Sequence, residues 1–148
     1  MFLFWQHLAL AGLIEGSYSG SAGGAGTTDH VIGTNSPESK LKGSGFGVIY
    51  AGIKSSNSYY YDGNYGHVFV FGAYKSNDLP VSSVITGSEA YNMDTKFDNG
   101  LPASGKILSW KQGAATYVPN CTTASNSSSV YQASTTSNVC SLIFVTGF

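Results

Sequence analysis

The run Ala90-Tyr91-Asn92-Met93-Asp94-Thr95-Lys96-Phe97-Asp98-Asn99-Gly100-Leu101-Pro102-Ala103-Ser104-Gly105-Lys106-Ile107 holds a complete helix-to-strand transition. Just upstream, Thr86-Gly87-Ser88-Glu89 fits a capping box, with the Thr86 hydroxyl taking the Glu89 N–H and the Glu89 carboxylate reaching back to Thr86. Ala90, Met93 and Phe97 then share one helical face. Asn99-Gly100 closes the helix and Pro102 prevents its resumption. The spacing predicts a helix over 87–98. A strand over 106–111 follows, with Ile107 and Ser109 on one side and Leu108 and Trp110 on the other.

Working outward, Ser141 to Thr146 is an unbroken apolar run that reads as a last strand in a covered position. Val68 to Tyr74 is β-branched and aromatic, and Gly45 to Tyr50 is a shorter strand. With the turn dipeptide Asp62-Gly63 between them, residues 45–74 form a hairpin with an aromatic, hydroxyl-rich tip. Residues 2–14 read as a helix. Leu3, His7, Leu10 and Ile14 lie on one stripe, with Phe4, Leu8 and Ala11 beside it, and Gly16 can stop it. It is apolar around most of its circumference, so it needs cover on several sides. The resulting fold class is α+β, an antiparallel sheet covered by one N-terminal helix. The whole chain, 1–148, is one domain: a helix end at 1–16, a Gly/Ser-rich loop at 17–43 and a sheet region at 44–148.

Charged residues make up 10% of the chain, well below the roughly 25% of an ordinary soluble domain, so solubility rests on hydroxyls and amides. The formal net charge is −1 and the cations are scattered, which leaves nucleic-acid binding through phosphates little to work with. Cys121 and Cys140 flank a Ser/Thr/Asn loop and point to one disulfide. Closing about 20 residues contributes roughly 3 kcal/mol in the chain-entropy model. Such a bond persists in the periplasm or outside the cell. Two buried free thiols in a cytosolic domain are the alternative, but the loop between them is too polar to bury. Met1 to Leu13 lacks the basic start of a secretory signal and is shorter than the roughly 20 apolar residues that span a bilayer, so an exporting segment is expected outside this chain.

Two stretches resemble the globular part of type IV pilin-like proteins, those with a prepilin-type N-terminal segment. Phe4-Trp5-Gln6-His7-Leu8-Ala9-Leu10-Ala11-Gly12-Leu13-Ile14-Glu15-Gly16-Ser17-Tyr18 is similar to the end of their N-terminal helix. Ala90 to Ile107 resembles their recurrent A-x-x-I-D-x-K-x-D-D-G-x-P-x-x-G segment. The cysteine pair resembles their C-terminal disulfide-bounded loop. The family's leader, processing site and long apolar helix have no counterpart in residues 1–148. The resemblance implies a pilin or pseudopilin, a structural subunit of a type IV pilus-like filament or a type II secretion pseudopilus on the bacterial surface. Its partners are other such subunits, and it meets a membrane only through the helix missing here. Phe4, Trp5, Leu8, Leu10 and Leu13 are the expected filament-core residues.

Other chemistry is weighed on the residues themselves. His7, His30 and His67 are the only imidazoles, and Gly16-Ser17-Tyr18-Ser19-Gly20 follows a helix where a nucleophile elbow needs a strand-to-helix turn. A hydrolase is therefore a distant reading, and no enzyme is expected. No cofactor is expected. Calcium would take Asp94, Asp98 and Asn99 as oxygen donors, but that trio reads more simply as a solvated helix face and a turn. Tyr59, Tyr60, Tyr61 and Tyr65, interleaved with Asn and Ser, read equally as a recognition surface and as a solvent-exposed hairpin whose rings pack on each other. The first of these makes the alternative function: a secreted adhesin or carbohydrate-binding module.

Overall fold

The computed structural model describes residues 1–111 and 120–147. In chain order the elements are α1 (Phe2–Leu10), β1 (Ser44–Tyr50), β2 (Ile53–Lys54), β3 (Gly63–Asn64), β4 (His67–Ala73), α2 (Gly87–Phe97), β5 (Ile107–Ser109) and β6 (Leu142–Val145). The fold is α+β. One four-stranded antiparallel sheet runs β1-β4-β6-β5, and β2 and β3 pair separately. β1 and β4 form the expected hairpin, in register from Ser44↔Ala73 to Tyr50↔His67, and β2 and β3 belong to its tip. The apolar strand β6 lies inside the sheet between β4 and β5.

Register divides the sheet into two faces, because side chains alternate and cross-strand partners point the same way. Phe46, Val48, Phe69, Phe71, Leu142 and Phe144 share one face; Gly47, Ile49, Val68, Val70 and Ile143 share the other. α1 lies on the first, where the rings of Phe4 and Trp5 stand 6.0 and 5.7 Å from that of Phe69. Leu79 and Pro80 cross the second face at Gly47, where a Cβ would come within 2.7 Å of the Leu79 side chain. Gly47 is thus an opening in the pleat that lets this segment lie flat on the strands.

α1 is shorter than 2–14. It stops at Leu10 because Gly12 takes a left-handed φ of 70°, and the N–H groups of Gly12 and Leu13 return to Ala9 and Leu8. Its buried residues are Phe2 and Trp5, not the Leu3/His7/Leu10 stripe, since Trp5 packs on Phe69 of the sheet and Phe2 on His30. α2 is capped as expected, with the Glu89 N–H donating to the Thr86 hydroxyl at 3.2 Å and the Thr86 N–H to the Glu89 carboxylate at 2.8 Å. The face it buries differs. Ala90 and Asp94 are inside, while Met93 is outside and Phe97 is 71% exposed. The 17–43 region contains no helix or strand and is held by side chains. Buried Asn35 accepts from the Val31 N–H at 2.8 Å and donates to the carbonyls of Asp29 and Ser21.

Candidate functional site

α2 and the turn after it deliver three polar side chains to one end of the sheet. Asp94 was expected on a solvated face and is instead fully buried. Its carboxylate accepts from the Tyr131 hydroxyl and the Gly100 N–H, each at 2.8 Å. Burial pushes this carboxyl above the usual range, against the pull of those two donors. Burial and the Asp94 charge in turn push the Tyr131 phenol well above its ordinary value. Asp98 accepts from the N–H groups of Lys106 and Ile107, which clamps the end of α2 to the start of β5. Asn99 accepts from the Leu101 N–H at 2.8 Å and donates to the Ser104 carbonyl at 3.2 Å. Each of the three calcium candidates thus has a turn or cross-link role, with both Asp94 oxygens, Asp98 Oδ2 and Asn99 Oδ1 accepting hydrogen bonds from the chain. Among the described residues no group of three His, Cys, Asp or Glu side chains is arranged to hold a metal ion.

Tyr131 comes from the disulfide loop. Cys121 and Cys140 are bonded and fully buried, and the Ser109 hydroxyl of β5 lies 3.1 Å from the Cys121 sulfur. Within the loop Thr122 pairs with Tyr131, and the Gln132 N–H donates to the Cys121 carbonyl. The polar loop thus reaches both α2 and β5. Its disulfide suits an oxidising, extracytoplasmic environment. No helix among the described residues is long and apolar enough to cross a membrane.

The tyrosine hairpin is not an open surface of four rings. Tyr61 and Tyr65 are buried, and Tyr60 is partly buried against the core. The Tyr61 hydroxyl meets Thr122, Ala124 and Ser129 of the disulfide loop at 3.2–3.3 Å, and Tyr65 donates to the Tyr61 carbonyl at 2.7 Å. The hairpin tip folds back because these inward rings dock it against that loop. Tyr59 stays in the open, at 40% exposure.

The expected filament-core residues also divide. Trp5 is buried against its own sheet, and Phe4 and Leu8 are partly covered. Leu10 is 80% exposed, and Leu13, which lies beyond the helix, is 70% exposed. Beside α1 the sheet face keeps a shallow apolar depression of about 500 Å³ between Trp5, Phe46, Phe69 and Phe144. The sequence marked β4 as a strand without assigning Phe69 a face, and nothing in the polar 121–140 stretch singled out Tyr131.

The histidines are placed separately. His7 lies exposed on α1 and His67 begins β4. His30 is fully buried against the Phe2 ring, with Nδ1 directed at the main-chain carbonyls of Thr28 and Asp78. Burial lowers its pKa, so it sits in the fold as neutral imidazole. Its neighbour Asp29 accepts from the N–H groups of Asn77 and Ala25 and from the Tyr74 hydroxyl. These bonds, that of Asn77 foremost, hold its carboxyl below the usual range. The Asp29–His30 pair organises a loop. No protein-family model, curated protein or solved structure matches this chain.

Proposed function

We propose that this chain is the head region of a pilin-like structural subunit, a pilin or pseudopilin of a surface or periplasmic filament. The observation that carries the reading is the two-sided apolar character of α1. One side is closed by Phe69 of the sheet, while Leu3 and Leu10 project from the helix and Leu13 projects just after it. A helix that is apolar all round needs a second partner beyond its own domain. The order of helix, antiparallel sheet and disulfide-bounded C-terminal module agrees with the pilin resemblance of residues 4–18 and 90–107. On this reading Trp5 and Phe4 anchor the helix to the head, and Leu3, Leu10 and Leu13 meet neighbouring subunits.

Immunogold labelling of sheared surface filaments from the producing cells tests the reading, alongside a Leu10→Arg variant. Labelled filaments are expected for the wild type. Leu10→Arg is expected to leave the head folded and abolish its incorporation, since Leu10 contributes exposed surface alone. Unlabelled filaments, or normal incorporation of the variant, would reject the proposal.

A further inference from the structure

On the sheet face opposite α1, a cleft of about 290 Å³ opens at the base of the tyrosine hairpin. Tyr59, Tyr60 and Trp110 supply its aromatic walls, Ile49 and Leu79 its aliphatic floor, and Asp78 a carboxylate. From this geometry we infer that the cleft is a binding site for one uncharged pyranose unit of a surface glycan.

Three features select that chemistry. The first is the mixture of rings and polar groups. The apolar C–H face of a sugar packs on an aromatic ring while its hydroxyls need fixed partners, and a small ligand site is usually apolar with a few placed polar groups. Tyr59 presents the exposed ring. The second is the Tyr60 phenol. Its ring is fixed by Trp110 at 4.9 Å and by Lys54, whose Nζ lies 5.1 Å from the ring centre. Its main-chain N–H donates to Asn57, but its hydroxyl has no hydrogen-bond partner among the described residues. Burial first, then the Asp78 charge, pushes this phenol up to about 12, so it stays protonated as a donor. The third is charge balance. Asp78 brings a carboxylate acceptor to the lining, and Lys54 lies over the Tyr60 ring, so opposite charges stand near the same phenol. The volume sits at the low end of small-ligand sites, which suits a single ring better than a lipid chain or a folded peptide.

The site does not depend on the filament reading, and its test is separate. The ¹⁵N-labelled protein is titrated with the methyl glycosides of glucose, galactose and N-acetylglucosamine, with tetramethylammonium and inorganic phosphate as charged probes. Saturable shifts at the amides of Tyr59, Tyr60 and Asp78 are expected with at least one glycoside. An affinity on the order of 1 mM is expected for so open a cleft. Tyr60→Phe keeps the ring and removes the hydroxyl, so it should weaken binding about threefold to tenfold, the factor for one hydrogen bond. Tyr59→Ala should weaken it further. Asp78→Asn keeps the Oδ1 that accepts the Leu79 N–H and should also weaken binding. The absence of saturable glycoside shifts, a preference for either charged probe, or unchanged affinity in both Tyr60→Phe and Asp78→Asn would overturn the inference.

Discussion

The α1 end and the α2 end of the fold are secured to the sheet by different chemistry. On the α1 side the contacts are ring on ring: Phe4 and Trp5 over Phe69, and Phe2 against buried His30. On the α2 side they are directional: the disulfide, the Tyr131–Asp94 hydrogen bond, and Asp98 on the first N–H groups of β5. Dispersion and hydrophobic contact tolerate sliding and leave apolar surface over, as at Leu10. Buried hydrogen bonds do not, because an unmatched partner costs its full desolvation. The α2 side is therefore expected to behave as a fixed body, and α1 as the element more easily displaced.

The largest test of that difference is Trp5→Ala. Removing a buried Trp costs about 3–5 kcal/mol, and here the loss should fall on the docking of α1. Hydrogen exchange should show α1 amides losing protection while β6 amides keep theirs. Equal losses in both would mean the ends are one cooperative unit. Replacing both cysteines by Ser is the next largest change, about 3 kcal/mol for a separation of 19 residues, read as a lower urea midpoint. It should act through the 121–140 loop and loosen α2 before α1. The reverse order would break the comparison.

What the sequence made readable follows the same division by range. The capping box, the hairpin, the covered last strand and the cysteine pair rest on short or compositional signals, and each is present in the fold. The burial of Asp94 was not readable. Met93 and Phe97 are the larger hydrophobes on α2, so periodicity turned the helix the wrong way. The decisive partner, Tyr131, stands 37 residues away in a stretch with no apolar pattern. The tyrosine tip failed for a related reason. Tyr59, Tyr60, Tyr61 and Tyr65 look alike in sequence, and only contact with Thr122 and Ser129 draws Tyr61 inside. Ring stacking by Trp5 was hidden because, Gln6 and His7 apart, the residues around it in α1 are also apolar or aromatic.

Tyr131→Phe probes the directional end at one bond. It leaves the Asp94 carboxylate buried with the Gly100 N–H as its remaining strong donor, at a cost of about 1–3 kcal/mol. Acid should act on the two ends with opposite sign. His30 is held below its ordinary 6.5, so the unfolded chain takes up the proton first and stability is lost as pH falls below that value. Asp94 is held above its ordinary 3.8, so the folded protein takes up the proton first. Stability is then regained as pH falls through the raised value towards 3.8. Hydrogen exchange on mild acidification should open the amides beside His30 first, and His30→Gln should remove that early loss. An early opening at α2 would contradict the assignment.

The smallest expected effect sharpens the comparison most. Thr86→Ala removes the hydroxyl that accepts the Glu89 N–H and should cost about 1 kcal/mol. Thr86 and Asp94 lie eight positions apart along α2, about 12 Å at the helical rise. At that distance two substitutions without shared partners normally add within about 0.5 kcal/mol. If α2 frays locally at its cap, Thr86→Ala and Tyr131→Phe will add. If α2 and the disulfide loop move as one body, loss of the cap tilts Asp94 away from Tyr131 and the double variant loses less than the sum. The fixed-body description requires the second result. Simple additivity in urea unfolding would reduce it to a set of independent contacts that happen to be polar.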